Sequence, residues 1–276
     1  MIGRFFAADY QVHTDLSHDG RCTLLEQCAQ AVSIGLEQIC FTEHKDFDPD
    51  DPVVNHFDYQ RYRDAILRAR DAFGDRLEIL MGIEVDYQTW FEDELRAYVE
   101  DHRFDFVLGS VHYVDRAMLM TPEYLRGRTP VQAYEAYYRE VLASVRSGAI
   151  DAVGHLEYAT RRGVAACGPF DPTPHRAIVE ELLGEMVARG VALEVNSAGL
   201  RQGAGQTYPC AQHVRLYADM GGERLTIGSD SHHPDELAYA YEEVAALAMD
   251  AGLTQYTAWR DRRPELRPLR MGRPAG

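Results

Sequence analysis

Seven short runs of apolar, β-branched or aromatic residues alternate along this chain with seven amphipathic stretches, and nearly every run is followed closely by a histidine or an acid. That alternation constrains the fold more than any other feature. The runs lie at roughly 5–12 (FFAADYQV), 38–42 (QICFT), 78–85 (EILMGIEV), 105–111 (DFVLGSV), 151–154 (DAVG), 191–196 (VALEVN) and 225–229 (LTIGS). The amphipathic stretches at 23–34, 58–73, 91–101, 130–147, 174–189, 209–220 and 235–250 read as helices, with Pro130, Pro174 and Pro209 at helix starts. A β-then-α succession of this kind predicts an α/β fold with a parallel sheet. An open doubly wound sheet would gather functional groups at one switch point. A barrel gathers them at the carboxyl ends of many strands, around one mouth. Here His13, His44, Glu84, His112, His155, Asp230 and His232 follow six of the seven runs. The pattern therefore predicts a seven-stranded barrel.

Imidazole and carboxylate are the ligands of borderline and moderately hard divalent metals, and one ion needs three or four of them. The groups gathered here exceed the need of one ion and imply a cluster. Segment 9–20 (DYQVHTDLSHDG) supplies His13 and Asp19, 42–46 (TEHKD) supplies His44, and 82–87 (GIEVDY) supplies Glu84. GSVHY, VGHLE and GSDSHH supply His112, His155, and the pair Asp230 and His232. A carboxylate such as Glu84 can bridge two ions, and bridged ions can activate water at neutral pH and accept phosphoryl charge. The histidines at 18, 56, 102, 175, 213 and 233 carry no such signal.

Charge excludes some functions. With 28 basic against 44 acidic residues the formal charge is −16, which argues against non-specific binding of nucleic acid. No apolar run approaches the roughly 20 residues of a membrane span, and MIGRFFAADY is too short and too soon acidic for a signal peptide. The five cysteines, Cys22, Cys28, Cys40, Cys167 and Cys210, show no CxxC pair or zinc-like pattern, so a reduced, cytoplasmic protein is expected. Residues 1–259 read as one domain. Residues 260–276 hold six arginines against two acids and read as a basic, flexible tail.

The SVH and GH segments, GIEVD and the terminal SDSH resemble the PHP (polymerase and histidinol phosphatase) superfamily and, within it, the histidinol-phosphate phosphatases; the match runs from Asp9 to about Glu236. The resemblance implies a distorted (β/α)7 barrel with a trinuclear divalent metal centre of zinc, manganese or iron at the carboxyl ends of its strands. Carried over by position, one ion takes His13, Glu84 and Asp230, a second takes Glu84, His112 and His155, and a third takes Asp19, His44 and His232. Two positions depart from the family's pattern. Gln11 stands where the first imidazole of a His-x-His motif would be, and Glu43 stands where an aspartate is usual. Gln11 is expected either to coordinate through its amide oxygen or to hydrogen-bond a water on the first ion.

The resemblance also implies hydrolysis of L-histidinol phosphate, a small phosphate monoester, to histidinol and phosphate. Arginines just beyond strand ends suit a phosphate dianion. Arg201, in NSAGLR, looks like the family's phosphate-binding arginine, and Arg161 and Arg162 are further candidates. Lys45 reads as a surface lysine. Glu84 would bridge the ions. A poor alkoxide leaving group calls for a general acid, with Asp230, His232 or a water on the metals left open. Asp15, Asp46, Asp86, Asp115 and Glu157 are unranked candidates to attract the substrate's cationic end, and segments 47–62 and 115–129 are expected as loops over the mouth. The alternatives are a phosphoesterase acting on nucleotides or oligonucleotide 3′ ends, or a catalytically silent binding module.

Overall fold

The computed structural model describes residues 6–270. All seven expected strands form: β1 (Phe6–Val12), β2 (Leu36–Phe41), β3 (Glu78–Asp86), β4 (Phe106–Ser110), β5 (Ala152–Val153), β6 (Ala192–Asn196) and β7 (Leu225–Gly228). They pair in chain order, every pair parallel. After a break at Thr42–Glu43, His44–Lys45 resumes the register of β2 and pairs His44 with Glu84. Between β7 and β1 the ladder shrinks to one bridge, Val12 with Ser231. Elsewhere that seam is held by the buried carboxylate of Asp9, which accepts from the Ser229 and Ala238 amides at 2.9 Å each. This is the distorted, incompletely stitched seven-stranded barrel expected.

The connecting helices are α1 (Leu24–Ile34), α2 (Tyr59–Phe73), α3 (Glu92–Asp101), α4 (Pro130–Ser147), α5 (Thr160–Cys167), α6 (Arg176–Arg189), α7 (Ala211–Asp219) and α8 (Tyr241–Asp250). Local chemistry sets their ends. Thr23 and Thr129 form capping boxes with Glu26 and Gln132, Pro130 takes the first turn of α4, and Gly35, Gly148 and Gly190 end their helices in the left-handed region. Helix α4 buries Ala133, Tyr134, Tyr137, Tyr138, Val141, Leu142 and Val145, the three-and-four spacing of an inward face. Helix α8 starts later than the expected 235. Pro234–Glu236 is a 3-10 turn, and Ala238 and Ala240 have positive φ. Helix α5 has no counterpart in the sequence reading.

The expected flexible tail is a correction. Residues 255–268 form an antiparallel hairpin, β8 (Gln255–Arg260) and β9 (Arg263–Pro268), so the boundary drawn at 259 falls inside it. Three of its arginines reach the amino ends of the barrel strands. Arg262 grips Asp151 at 3.0–3.1 Å, and Arg260 and Arg267 meet Glu78 at 2.5 and 2.8 Å. Trp259 donates its amide to Tyr10 Oη at 2.9 Å, and Thr257 Oγ1 accepts from the Leu225 amide. The hairpin closes the end opposite the mouth, and its Tyr256, Ala258 and Trp259 belong to the barrel's hydrophobic core. Residues 271–276 lie outside the described residues.

Candidate metal centre

Glu84 is fully buried on β3, and its two carboxylate oxygens face different imidazoles. Oε2 lies 3.2 Å from His13 Nε2 and 3.4 Å from His44 Nδ1. Oε1 lies 3.0 Å from His155 Nε2 and 3.8 Å from His112 Nε2. A carboxylate so divided is placed to bridge cations. Around it, Asp230 Oδ1 sits 3.4 Å from His13 Nε2 and 3.6 Å from His232 Nδ1. Asp19 Oδ2 sits 3.1 Å from His232 Nε2 and 3.6 Å from His44 Nε2. The rings of His44 and His232 stack on that of His13 at 4.3 and 4.4 Å. Donor atoms of His13, His44 and His232 converge within 4.8 Å of one another, as do those of Glu84, His112 and His155. All eight expected His, Asp and Glu ligands therefore meet at one mouth.

The arrangement fits divalent ions. His13 Nε2 is buried and close to two carboxylates, yet makes no well-directed hydrogen bond to either; it is disposed as a ligand. Burial opposes charge on Glu84, Asp19 and Asp230, but the surrounding imidazoles outweigh it and hold all three carboxyls below the ordinary range. Burial likewise opposes charge on His13 and His44, but the carboxylates raise both, and Asp86 helps push His112 up to about 9. Protons neutralise this negative pocket where no metal does, so metal binding there must release them.

A second layer aims the ligands. Glu43 accepts from the Thr14 amide at 3.1 Å, Thr14 Oγ1 at 2.6 Å and Ser17 Oγ at 2.5 Å, and Ser17 Oγ in turn accepts from the His44 amide. The glutamate in place of the usual aspartate thus ties the His13–Asp19 loop to strand two. Asp86 accepts from the His112 amide at 2.9 Å and faces His112 Nδ1 at 3.2 Å, which turns Nε2 toward Glu84. Glu194, whose carboxyl burial pushes well up, accepts from the His155 amide at 2.6 Å. A Cβ at Gly228 would meet Glu194 Oε1 at 2.0 Å, so only glycine fits there. His155 and Asp230 both have positive φ, the mark of constrained backbone at a site.

The hydrogen bonds around Gln11 orient its amide. The Ala198 amide can only donate, and it reaches Asn196 Oδ1 at 2.8 Å. That turns Asn196 Nδ2 onto Gln11 Oε1 at 2.7 Å, so Gln11 Nε2 donates to Glu84 Oε2 at 3.0 Å. In this network the Gln11 amide oxygen accepts from Asn196 and its nitrogen faces Glu84.

The arginines separate as well. Arg201 donates to the carbonyls of Ser229 and Asp230 at 2.7 Å each and lies 3.5 Å from Glu236. It clamps the segment that presents Asp230 and His232, while still lining a cavity with Asp19, Arg161 and His232. Arg161, hydrogen-bonded to Tyr158 Oη at 2.6 Å, lines that cavity and also a neighbouring one of about 320 Å³ beside His44 and His112. Arg162 lines only the latter and reaches Met118 Sδ. Lys45 is half-buried over Phe47 and Tyr98 rather than solvated. Of the five acids considered for the substrate's cation, Asp46 alone lines the 320 Å³ cavity, where burial and then Asp86 push it up to about 6. Asp86 serves His112, Asp115 pairs with Arg128, Glu157 is buried against His213, and Asp15 lies 3.9 Å from Arg61. Asp51, Pro52 and Val53 from one expected loop, and Met118 and Leu119 from the other, complete the cavity.

A family model for the PHP domain matches residues 9–198. The chain is 28% identical over 256 residues to a probable histidinol-phosphatase of Deinococcus radiodurans, covering 88% of this chain and 93% of that one. It is 27% identical over 237 residues to the histidinol-phosphatase of Lactococcus lactis, covering 81% and 83%. A crystal structure of histidinol phosphate phosphatase from Lactococcus lactis, complexed with zinc, L-histidinol and phosphate, shares the fold with a TM-score of 0.86 at 24% identity, over 94% of this chain and 98% of that one.

Proposed function

The chain belongs to the PHP domain family, and on that premise we propose that it is a metal-dependent phosphomonoesterase that hydrolyses L-histidinol phosphate to L-histidinol and phosphate, within histidine biosynthesis. One observation carries the reading: the two oxygens of Glu84 face separate imidazole pairs at the mouth, His13 and His44 on one side, His112 and His155 on the other. The names of the relatives, several of them histidinol-phosphatases, support the choice of substrate.

His13, Glu84 and Asp230 would hold one ion, Glu84, His112 and His155 a second, and Asp19, His44 and His232 a third. Zinc, manganese or iron at these positions supplies Lewis acidity, activating water and neutralising phosphoryl charge. Arg161 receives the phosphate by charge-assisted hydrogen bonds at the junction of the two cavities. Arg201 braces Asp230 and His232 and adds positive charge to the same wall. Asp46 and Asp51 face the ammonium and imidazole of the organic end. His232 lines the same cavity as Arg161 and is the candidate to protonate the leaving alkoxide, whereas Asp230, held below the ordinary carboxyl range, is not. Among the described residues no helix is long and apolar enough to cross a membrane, and all five cysteines are free.

The test is steady-state phosphate release from histidinol phosphate beside a panel of nucleotides, oligonucleotide 3′-phosphates and sugar phosphates, with manganese, zinc and iron supplied separately. Preference for histidinol phosphate supports the reading. A nucleotide preferred by a comparable margin replaces it, and no turnover with any metal or ester leaves a binding module.

A further inference from the structure

Behind the loop that carries His155 lies a second convergence of donor groups that the centre at the mouth does not use. Cys210 caps α7, and His213 follows three residues later on the same face, a C-x2-H spacing. Glu157 reaches them from the GHLEY loop. Its Oε1 lies 3.6 Å from Cys210 Sγ and hydrogen-bonds His213 Nδ1, while its Oε2 accepts from the Cys210 amide at 2.9 Å and from Gln206 Nε2 at 3.1 Å. All three residues are buried, and their donor atoms converge within 4.8 Å.

We propose that Cys210, His213 and Glu157 form a separate site for one zinc-like divalent ion, structural rather than catalytic. Thiolate, imidazole and carboxylate are the three ligand types zinc favours. A tetrahedral ion with Zn–S of about 2.3 Å and Zn–O of about 2.1 Å holds those two donors about 3.6 Å apart. Cys210 Sγ and Glu157 Oε1 already stand at 3.6 Å. Charge also balances. A doubly positive ion with one thiolate and one carboxylate is neutral, the state a buried site needs. Entry of the ion displaces two protons, one from the His213 imidazolium and one from the Cys210 thiol, and the His213 ring moves back as its hydrogen bond to Glu157 is replaced. Gln206 or a water completes the fourth position. An entry path exists: His213 lines a cavity of about 410 Å³ with Arg176, Gln212 and Asp219, none of which borders the cavities at the mouth. The ion would brace the loop that presents His155, Tyr158 and Arg161.

The proposal is independent of the phosphatase reading, because its test needs no substrate. No cysteine is among the ligands at the mouth, so a thiolate-to-cobalt charge-transfer band can arise only elsewhere. Cobalt-loaded wild type is expected to show that band, and Cys210→Ser to lose it and bind one ion fewer. Cys22→Ser is the control, since Cys22 Sγ lies 3.8 Å from the His232 carbonyl, and it should keep the band. If Cys210→Ser does not fold, His213→Asn is read by the same band and ion count. A fully loaded wild type with no thiolate band, or a band and ion count unchanged in these two variants, overturns the site.

Discussion

Gln11 Nε2 donates to Glu84 Oε2 at 3.0 Å, so the side chain that stands in place of an imidazole ligand turns a donor, not a lone pair, toward the metal centre. An ion held by His13, Glu84 and Asp230 would thereby have three protein ligands, the count of an open catalytic site. Gln11→His should return a nitrogen ligand near that ion, at the expense of the hydrogen bond from Asn196, about 1 kcal/mol. Graded chelation followed by metal analysis should show the most labile ion leaving later from Gln11→His than from wild type. Loss of all ions together from both proteins would mean that the site is not weakened.

Glu84→Ala should reduce kcat by far more than tenfold, the equivalent of ~1.4 kcal/mol in barrier. It should also lower the number of ions bound, because both oxygens lose their imidazole-facing roles. Circular dichroism should still show a folded barrel. A variant keeping more than about a tenth of wild-type kcat contradicts a bridging carboxylate.

Arg161→Ala and Arg201→Ala should part company. Arg161→Ala should lower kcat/KM by about 100-fold, near 3 kcal/mol, with metal content unchanged. Arg201→Ala should lower metal content as well, because the Ser229 and Asp230 carbonyls lose their clamp. Equal metal content in the two variants would return Arg201 to a purely phosphate-binding role.

Arg262→Ala should destabilise the protein by ~2–3 kcal/mol in urea titrations, since it leaves the buried Asp151 carboxylate without its bidentate partner. Activity of the remaining folded fraction should be nearly normal, because the hairpin lies at the end opposite the mouth. A shift below about 0.5 kcal/mol would make the hairpin an ornament rather than part of the fold.

His213 sets a pH dependence in metal-free protein. Burial disfavours its charge, yet Cys210 and Glu157 push it up to about 10 from an ordinary 6.5. A group raised on folding stabilises fully below its unfolded pKa, and that stability is lost as pH rises through the folded value. The Tm gap between wild type and His213→Asn, in chelator, should therefore be largest near pH 6 and shrink toward pH 10. A gap constant across that range argues against a charged His213.

The strands and the gathering of histidines and acids at their ends are legible in the sequence because both obey local rules. Buried parallel strands read as continuous apolar runs, and a His or acid just past one has no core role to play. What escaped depends on partners distant in sequence. Arg263–Pro268 has almost no inward face, so no period marks it as a strand; its order comes from its pairing with β8, from Glu78 on Arg267, and from Asp105 and Asp151, which hold the Asp261–Arg262 turn, all three acids lying more than a hundred residues away. The orientation of Gln11 follows only once Ala198 and Asn196 are beside it. The C-x2-H at Cys210 and His213 was in plain view, but its third donor lies more than fifty residues earlier.

The barrel wall between β7 and β1 carries a single backbone bridge, and His13 and Asp230 stand on opposite sides of that gap. An ion gripped by both would act as a buckle across that edge of the cylinder. Filling the site and shutting the wall then become a single equilibrium. A chelator at the mouth should then loosen that edge of the wall, and a change that opens the wall, such as a mutation of Asp9 beneath it, should weaken the grip on the ion.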